Sequence, residues 1–185
     1  MRQNDRVEEQ RLISRAKEGD MEAFERLVKT HQQAIYRLCR RMTGRHQLAD
    51  DVAQETFIKA YFALSGFRDG WNFFSWIRKI AVNTTLNHLK SGKREEPLRE
   101  RDSAVTALPQ DELQEHEIRR KVEKAVEALP SEQKAVFVLR IHESLSYREI
   151  AETLRISEGT VMSRLNRARH KLKEALAEDL GWRRA

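Results

Sequence analysis

The chain is predicted to be all-α, two small helical domains joined by a flexible linker, on three observations. Apolar residues recur at spacings of three and four along nearly its whole length, the period of a helix with one buried face. Helix breakers are sparse, with 7 Gly and 3 Pro among 185 residues, and no run alternates apolar and polar residues as a half-buried strand would. Residues 93–112 interrupt the pattern with two of the three prolines, dense mixed charge and little apolar periodicity, the composition of a linker.

The elements follow in order. Residues 8–18 are predicted as a short helix around Leu12, Ile13 and Ala16, stopped by Gly19. Asp20 supplies the N-cap of a long helix with the stripe Phe24, Leu27, Val28, His31, Ile35, Leu38, Cys39 and Met42, ended by Thr43-Gly44. A third helix, 47–64, buries Leu48, Val52, Phe57 and Tyr61. Residues 65–72, SGFRDGWN, form a loop punctuated by two glycines. A fourth helix, 73–91, fills the core with Phe74, Ile77, Ile80, Ala81 and Leu86. Four more are expected at 113–129, 131–142, 147–154 and 158–178, with Pro130 separating the first two. The domains are therefore 1–94 and 113–185, with 95–112 as the linker.

Formal charge is +6, and 39% of the residues are apolar. Residues 1–94 hold 18 Lys/Arg against 11 Asp/Glu, residues 95–112 hold 2 against 6, and residues 113–185 hold 15 against 12. Two basic ends flank an acidic middle, which suits a polyanionic partner. Cys39 is the single cysteine, so an intrachain disulfide and a Cys-based zinc site are both excluded. There is no N-terminal apolar run for a signal peptide and no stretch for a membrane span, so a cytoplasmic protein without membrane insertion is expected.

Residues 144–173 read as a helix-turn-helix. Ser146 with Glu149 three residues on is a capping box, starting a short helix that buries Ile150, Ala151 and Leu154. Arg155-Ile156 makes the turn, and Ser157 caps the next helix, which buries Val161, Leu165, Ala168 and Leu172. Arg164, Arg167, Arg169, Lys171 and Lys173 remain outward, and no carboxylate stands between Glu158 and Glu174. Such a helix can lie in the DNA major groove with its first two turns against base edges. The alternative, charges that merely solvate an exposed helix, leaves the paired caps and one-signed charge unexplained.

Five of the 13 aromatic residues, Phe67, Trp71, Phe73, Phe74 and Trp76, crowd the loop and the start of the fourth helix. Around them lie Arg68, Arg78, Lys79, Lys90, Lys93 and Arg94, with Asn83 and Asn87 one turn apart. Part of this aromatic content is core. Trp71, between Gly70 and Asn72 in a polar loop, is not needed there. Rings interleaved with cations suit single-stranded DNA: rings accept unstacked bases, Lys and Arg track phosphates, and Asn pairs with a base edge. A base held out of the stack fits a protein that opens a duplex.

On the third helix, Asp51, Gln54, Glu55, Ile58 and Phe62 fall opposite the core stripe, a docking strip for a basic helical partner. A solvated charged face is the plainer reading. A metal site from Asp50, Asp51 and Glu55 is a poor cage, being a one-helix carboxylate cluster expected to have no His or second acidic helix nearby.

Taken together, these residues resemble the extracytoplasmic-function (ECF, group 4) sigma factors of the bacterial sigma-70 family. The resemblance rests on DDVAQETFIKAY at 50–61, FFSWIRKIAVNTTLNHLK at 73–90, LPSEQKAVFVLR at 129–140 and LSYREIAETLRISEGTVMSRLNRAR at 145–169, and covers almost the whole chain. It implies that 1–94 is region 2 and 113–185 region 4 of a promoter-specificity subunit, which binds core RNA polymerase (β and β′ subunits) and promoter DNA without catalysing covalent chemistry. Asp51, Gln54 and Glu55 match the strip that binds the β′ clamp helices, with Asp50 and Ile58 beside them. The loop carrying Phe67, Arg68 and Trp71 matches the one that captures a flipped base of the −10 element. Trp76, Asn83 and Asn87 match helix positions facing that element, with Arg78 and Lys90 on the same surface. Met162, Ser163, Asn166 and Arg167 match −35 base readers, and Arg164 or Arg169 phosphate contacts, with Arg148, Ser157 and Thr160 alongside. An anti-sigma partner is implied; a cofactor or metal is not.

The chain departs from the family at Met162, where many members have Arg or Lys, and at Asn166, where many have an aromatic residue. Met cannot make the bidentate guanine contact of Arg, worth about 1–3 kcal/mol of discrimination, so the −35 sequence does not transfer from other members. Two rivals remain. A stand-alone helix-turn-helix transcription regulator that does not bind polymerase leaves the 50–61 and 67–90 motifs unexplained. A metal nuclease requires convergent carboxylates or His, and the six His are scattered.

Overall fold

The computed structural model describes residues 3–91 and 110–179, with side chains for 5–91 and 117–177. Among the described residues all regular structure is helical: α1 Gln3–Lys17, α2 Met21–Thr43, α3 His46–Ala63, a 3₁₀ turn Leu64–Gly66, α4 Phe73–Ser91, α5 Gln110–Glu127, α6 Ser131–Ile141, α7 Tyr147–Leu154 and α8 Glu158–Asp179. The chain forms two compact units, residues 1–88 and 89–185, and the division falls inside α4. Most of the expected 95–112 linker lies outside the described residues, though its last three positions are already helical in α5.

In the first unit, α2 is set by its caps. The Asp20 side chain accepts from Ala23 N at 3.0 Å, and Gly44 ends the helix in the left-handed region at φ 75, which costs a glycine little. These hydrogen bonds, the Ala23 amide first and then the Arg15 side chain, hold the Asp20 carboxyl below its ordinary range. The expected stripe is buried along α2 save for Val28, which is half-buried. α1 begins at Gln3, earlier than the expected 8; its first turn holds Asp5, an acid where the helix dipole favours one. It buries Leu12, Ile13 and Ala16 as expected. It also inserts Glu9, whose Oε1 lies 2.9 Å from Nε2 of buried His31.

Two predicted faces are corrected. α3 buries Ala49, Val52, Ala53, Thr56, Phe57 and Ala60, while Leu48 and Tyr61 are half-buried. The small residues let α3 lie close on α2, and the larger side chains flank the contact. In α4 the inward line is Phe73, Ile77, Ala81, Val82, Thr84 and Thr85, so Phe73 rather than Phe74 is the buried ring. Phe74, Ile80 and Leu86 are half-buried. The buried Thr56 and Thr85 hydroxyls donate to carbonyls one turn back, Val52 and Ala81, both at 2.7 Å, so neither is left unsatisfied.

The second unit packs α6 and α7 on α8, with Ala125 and Leu129 closing against Ala168 and Leu172. The Ser146–Glu149 capping box is formed in both directions. Arg155 takes φ 54, the left-handed turn between α7 and α8. The apolar line of α8, Val161, Leu165, Ala168 and Leu172, is buried as expected. On α7 it is Thr153, donating to Glu149 O at 2.7 Å, that fills the interior with Ile150 and Ala151, and Leu154 is half-buried. No described helix is long and apolar enough to cross a membrane. Among the described residues no group of three or more His, Cys, Asp or Glu is arranged to hold a metal ion.

Candidate functional site

Three surfaces gather the predicted residues. The first is the outer face of α3. Asp50, Asp51, Gln54 and Ile58 are exposed, and Phe62 extends the strip at 77% exposure. Glu55 differs. Its carboxylate is shared between Lys59 Nζ at 2.6 Å and His88 Nε2 at 2.5 Å, and these hydrogen bonds, Lys59 first, hold it below its ordinary range. Asp50 and Asp51 are therefore the outward acids, while Glu55 ties α3 to α4.

The second surface is the 67–72 loop with α4. The Trp71 amide donates to Arg68 O at 3.3 Å, closing a turn. Gly70 stands in it at φ 81, a conformation that a Cβ would strain. Asn72 caps α4, accepting from Ser75 N at 2.7 Å. Trp71 projects with 51% of its surface exposed, and the Arg68 guanidinium lies over its ring at 5.3 Å. Two residues expected on this surface turn inward. Phe67 is only 3% exposed, set edge-on against Phe73 at 5.8 Å and Trp76 at 5.1 Å, so it supports the loop from beneath. Arg78 is buried, its guanidinium over the Phe74 ring. Trp76 and Asn83 are half-buried, and Asn87 and Lys90 exposed. The Asn83 amide donates to Lys79 O at 2.8 Å, leaving its oxygen to accept.

The third surface is the start of α8. Ser157 accepts from Thr160 N at 3.1 Å, and the two hydroxyls lie 2.9 Å apart, so both residues serve the cap. Met162 is half exposed at 50%; Asn166, Arg167 and Arg169 are exposed and Ser163 half-buried. Arg148 on α7 pairs with Glu152 at 3.3 Å. Arg164 turns away from this group to Glu132 of α6.

Known proteins match both units. The family model for sigma-70 region 2 matches residues 27–95, and that for sigma-70 region 4 matches 119–172. The RNA polymerase sigma-H factor of Pseudomonas aeruginosa is 37% identical over 91% of this chain and 94% of its own length. The ECF RNA polymerase sigma factor SigW of Bacillus subtilis is 32% identical over 90% and 95%. This chain belongs to the ECF sigma factors of the sigma-70 family. Among solved structures, this sigma factor resembles CnrH, determined with the cytosolic domain of CnrY, with TM-score 0.66 and 27% identity over 93% of this chain and 99% of that one. It shares the fold of RpoE from Bartonella quintana, determined with the anti-sigma factor NepR, at TM-score 0.63 and 23% identity over 83% and 96%.

Sequence reasoning missed five contacts in this sigma factor: Glu9 with His31, Gln10 with Trp71, Lys17 with Asp69, His88 with Glu55, and Glu132 with Arg164. None has a local signal, because each joins separate elements.

Proposed function

We propose that this sigma factor docks on core RNA polymerase through Asp50, Asp51, Gln54, Glu55 and Ile58, receives an unstacked −10 base at Trp71, and reads −35 duplex with Met162, Ser163, Asn166, Arg167 and Arg169. Residues 1–94, 95–112 and 113–185 act as region 2, linker and region 4. The carrying observation is the half-exposed Trp71 with Arg68 over one face, on a loop whose other ring, Phe67, is spent as support.

Magnitudes apportion the work. Unstacking a base costs a few kcal/mol, and stacking on an aromatic side chain returns about 1–3 kcal/mol per base. Trp71 thus roughly offsets one flipped base. Continued opening needs Asn83, Asn87 and Lys90 to engage the separated strand, and polymerase itself. The sigma factor performs no covalent chemistry of its own and works in the cytoplasm alongside polymerase. CnrH, 27% identical, was determined with the cytosolic domain of CnrY; by that likeness this chain also takes a protein partner, which the family resemblance makes an anti-sigma factor that holds it inactive.

Run-off transcription with purified core enzyme tests the reading. Promoter-dependent starts are expected only when this chain is added. A chain that binds duplex DNA yet fails to join core enzyme would instead be a stand-alone regulator.

A further inference from the structure

The loop that bears Trp71 is held from outside by α1. Gln10 Nε2 donates to Trp71 O at 3.3 Å, and Gln10 Oε1 accepts from Gly70 N at 3.5 Å. Two turns further along α1, Lys17 Nζ reaches Asp69 Oδ1 at 2.6 Å and lies 5.7 Å from the centroid of the buried Phe67 ring. Seven residues are close to two full helical turns, so Gln10 and Lys17 share one side of α1, with fully buried Ile13 between them. One side-chain amide thus closes two backbone hydrogen bonds on the turn's crest, and one ammonium fastens the residue before it. The region 2 match begins at residue 27, beyond α1.

We infer that Gln10 and Lys17 are positioning residues that set the aim of the Trp71 loop and hence its choice among flipped bases; this rests on the −10 reading above. The loop's internal backbone bond, Trp71 N to Arg68 O at 3.3 Å, is no shorter than the bond Gln10 makes to Trp71 O, so α1 adds ties comparable to the loop's own across a turn that Gly70 leaves permissive. Without α1 the loop has several accessible shapes and Trp71 several headings. A surface ion pair contributes little to folding, so the role lies in selectivity, not stability.

The test uses holoenzyme reconstituted from the full chain and core polymerase, a pool of short random single-stranded oligonucleotides, and sequencing of those retained. Wild-type holoenzyme should prefer one base at the captured position. Lys17→Met and Asp69→Asn should each lower that preference about threefold, the scale of one exposed ion pair. Their combination should lower it no further, since both remove the same contact. Gln10→Ala should lower it similarly, as should Gln10→Glu, which keeps the acceptor and loses the N–H aimed at Trp71 O. Preferences at other positions and affinity for −35 duplex should stay unchanged.

Unaltered preference in all four single variants overturns the inference and leaves the −10 reading standing. Uniform loss of all binding also overturns it, by making α1 a general prop. Wild-type holoenzyme showing no base preference overturns the −10 reading and this inference with it.

Discussion

Arg164 of α8 and Glu132 of α6 form an ion pair, Nη2 to Oε2 at 2.5 Å, that draws a basic side chain off the outward face of the recognition helix. The pair is partly exposed, so its worth is discounted to about 0.5–1 kcal/mol. Arg164→Ala and Glu132→Ala should each destabilise the second unit by that amount. The double variant should be no worse than either, as denaturant melts in a double-mutant cycle will read. Arg167→Ala, by contrast, should weaken −35 binding with little effect on stability. Equal loss on scrambled DNA would make Arg167 a phosphate contact.

Asp51→Arg should abolish polymerase binding, because it puts a cation where the strip presents an acid, and binding of −35 duplex should survive. Co-elution with core enzyme on gel filtration measures the first and a duplex gel shift the second. Asp51 is exposed, so the fold should be unaffected to within about 0.5 kcal/mol.

Phe67 and Trp71 make opposite predictions from one loop. Phe67→Ala should cost about 3–5 kcal/mol of stability, as for other buried rings. Trp71→Ala should leave the melting temperature nearly unchanged and reduce strand opening, with less effect on closed-complex formation. Thermal denaturation and permanganate footprinting separate the two.

Met162 invites a gain-of-function test. Met162→Arg places a guanidinium on the exposed start of α8 and should add preference for guanine at one −35 position, by about 1–3 kcal/mol if the contact is bidentate. Selection from a random duplex library reads the outcome directly.

Burial pushes the Cys39 thiol up to about 11 from an ordinary 9.0, against a smaller opposing effect of the Thr85 hydroxyl. In the native protein iodoacetamide should therefore react slowly at neutral pH, and quickly once denaturant exposes the thiol. The unfolded chain ionises first, so stability should fall as pH rises from about 9 to about 11, the window between the two values.

What the sequence made readable was local. Asp20, the Ser146–Glu149 box and Ser157 were found because a cap and its amide lie within three residues. The α8 core line was found because one helix face repeats at three and four. The rest depends on which faces meet. Ala49, Ala53 and Ala60 carry the α3 contact, and small side chains make a weak periodic signal beside Leu48 and Tyr61. Nothing in the spacing of SGFRDGWN says that Phe67 turns in while Trp71 turns out; that is decided by Phe73 and Trp76 packing on Phe67. Lys17 and Asp69 are 52 positions apart, and Glu55 and His88 are 33 apart, so their meeting is a product of tertiary packing.

The alanine-lined seam between α2 and α3 has a mechanical corollary. Interiors are close-packed, so a helix buried along Ala49, Val52, Ala53, Phe57 and Ala60 has little room to roll. A partner approaching Asp51, Ile58 and Phe62 meets a helical backbone already ordered by folding, so the immobilisation left for association to supply is that of the exposed side chains.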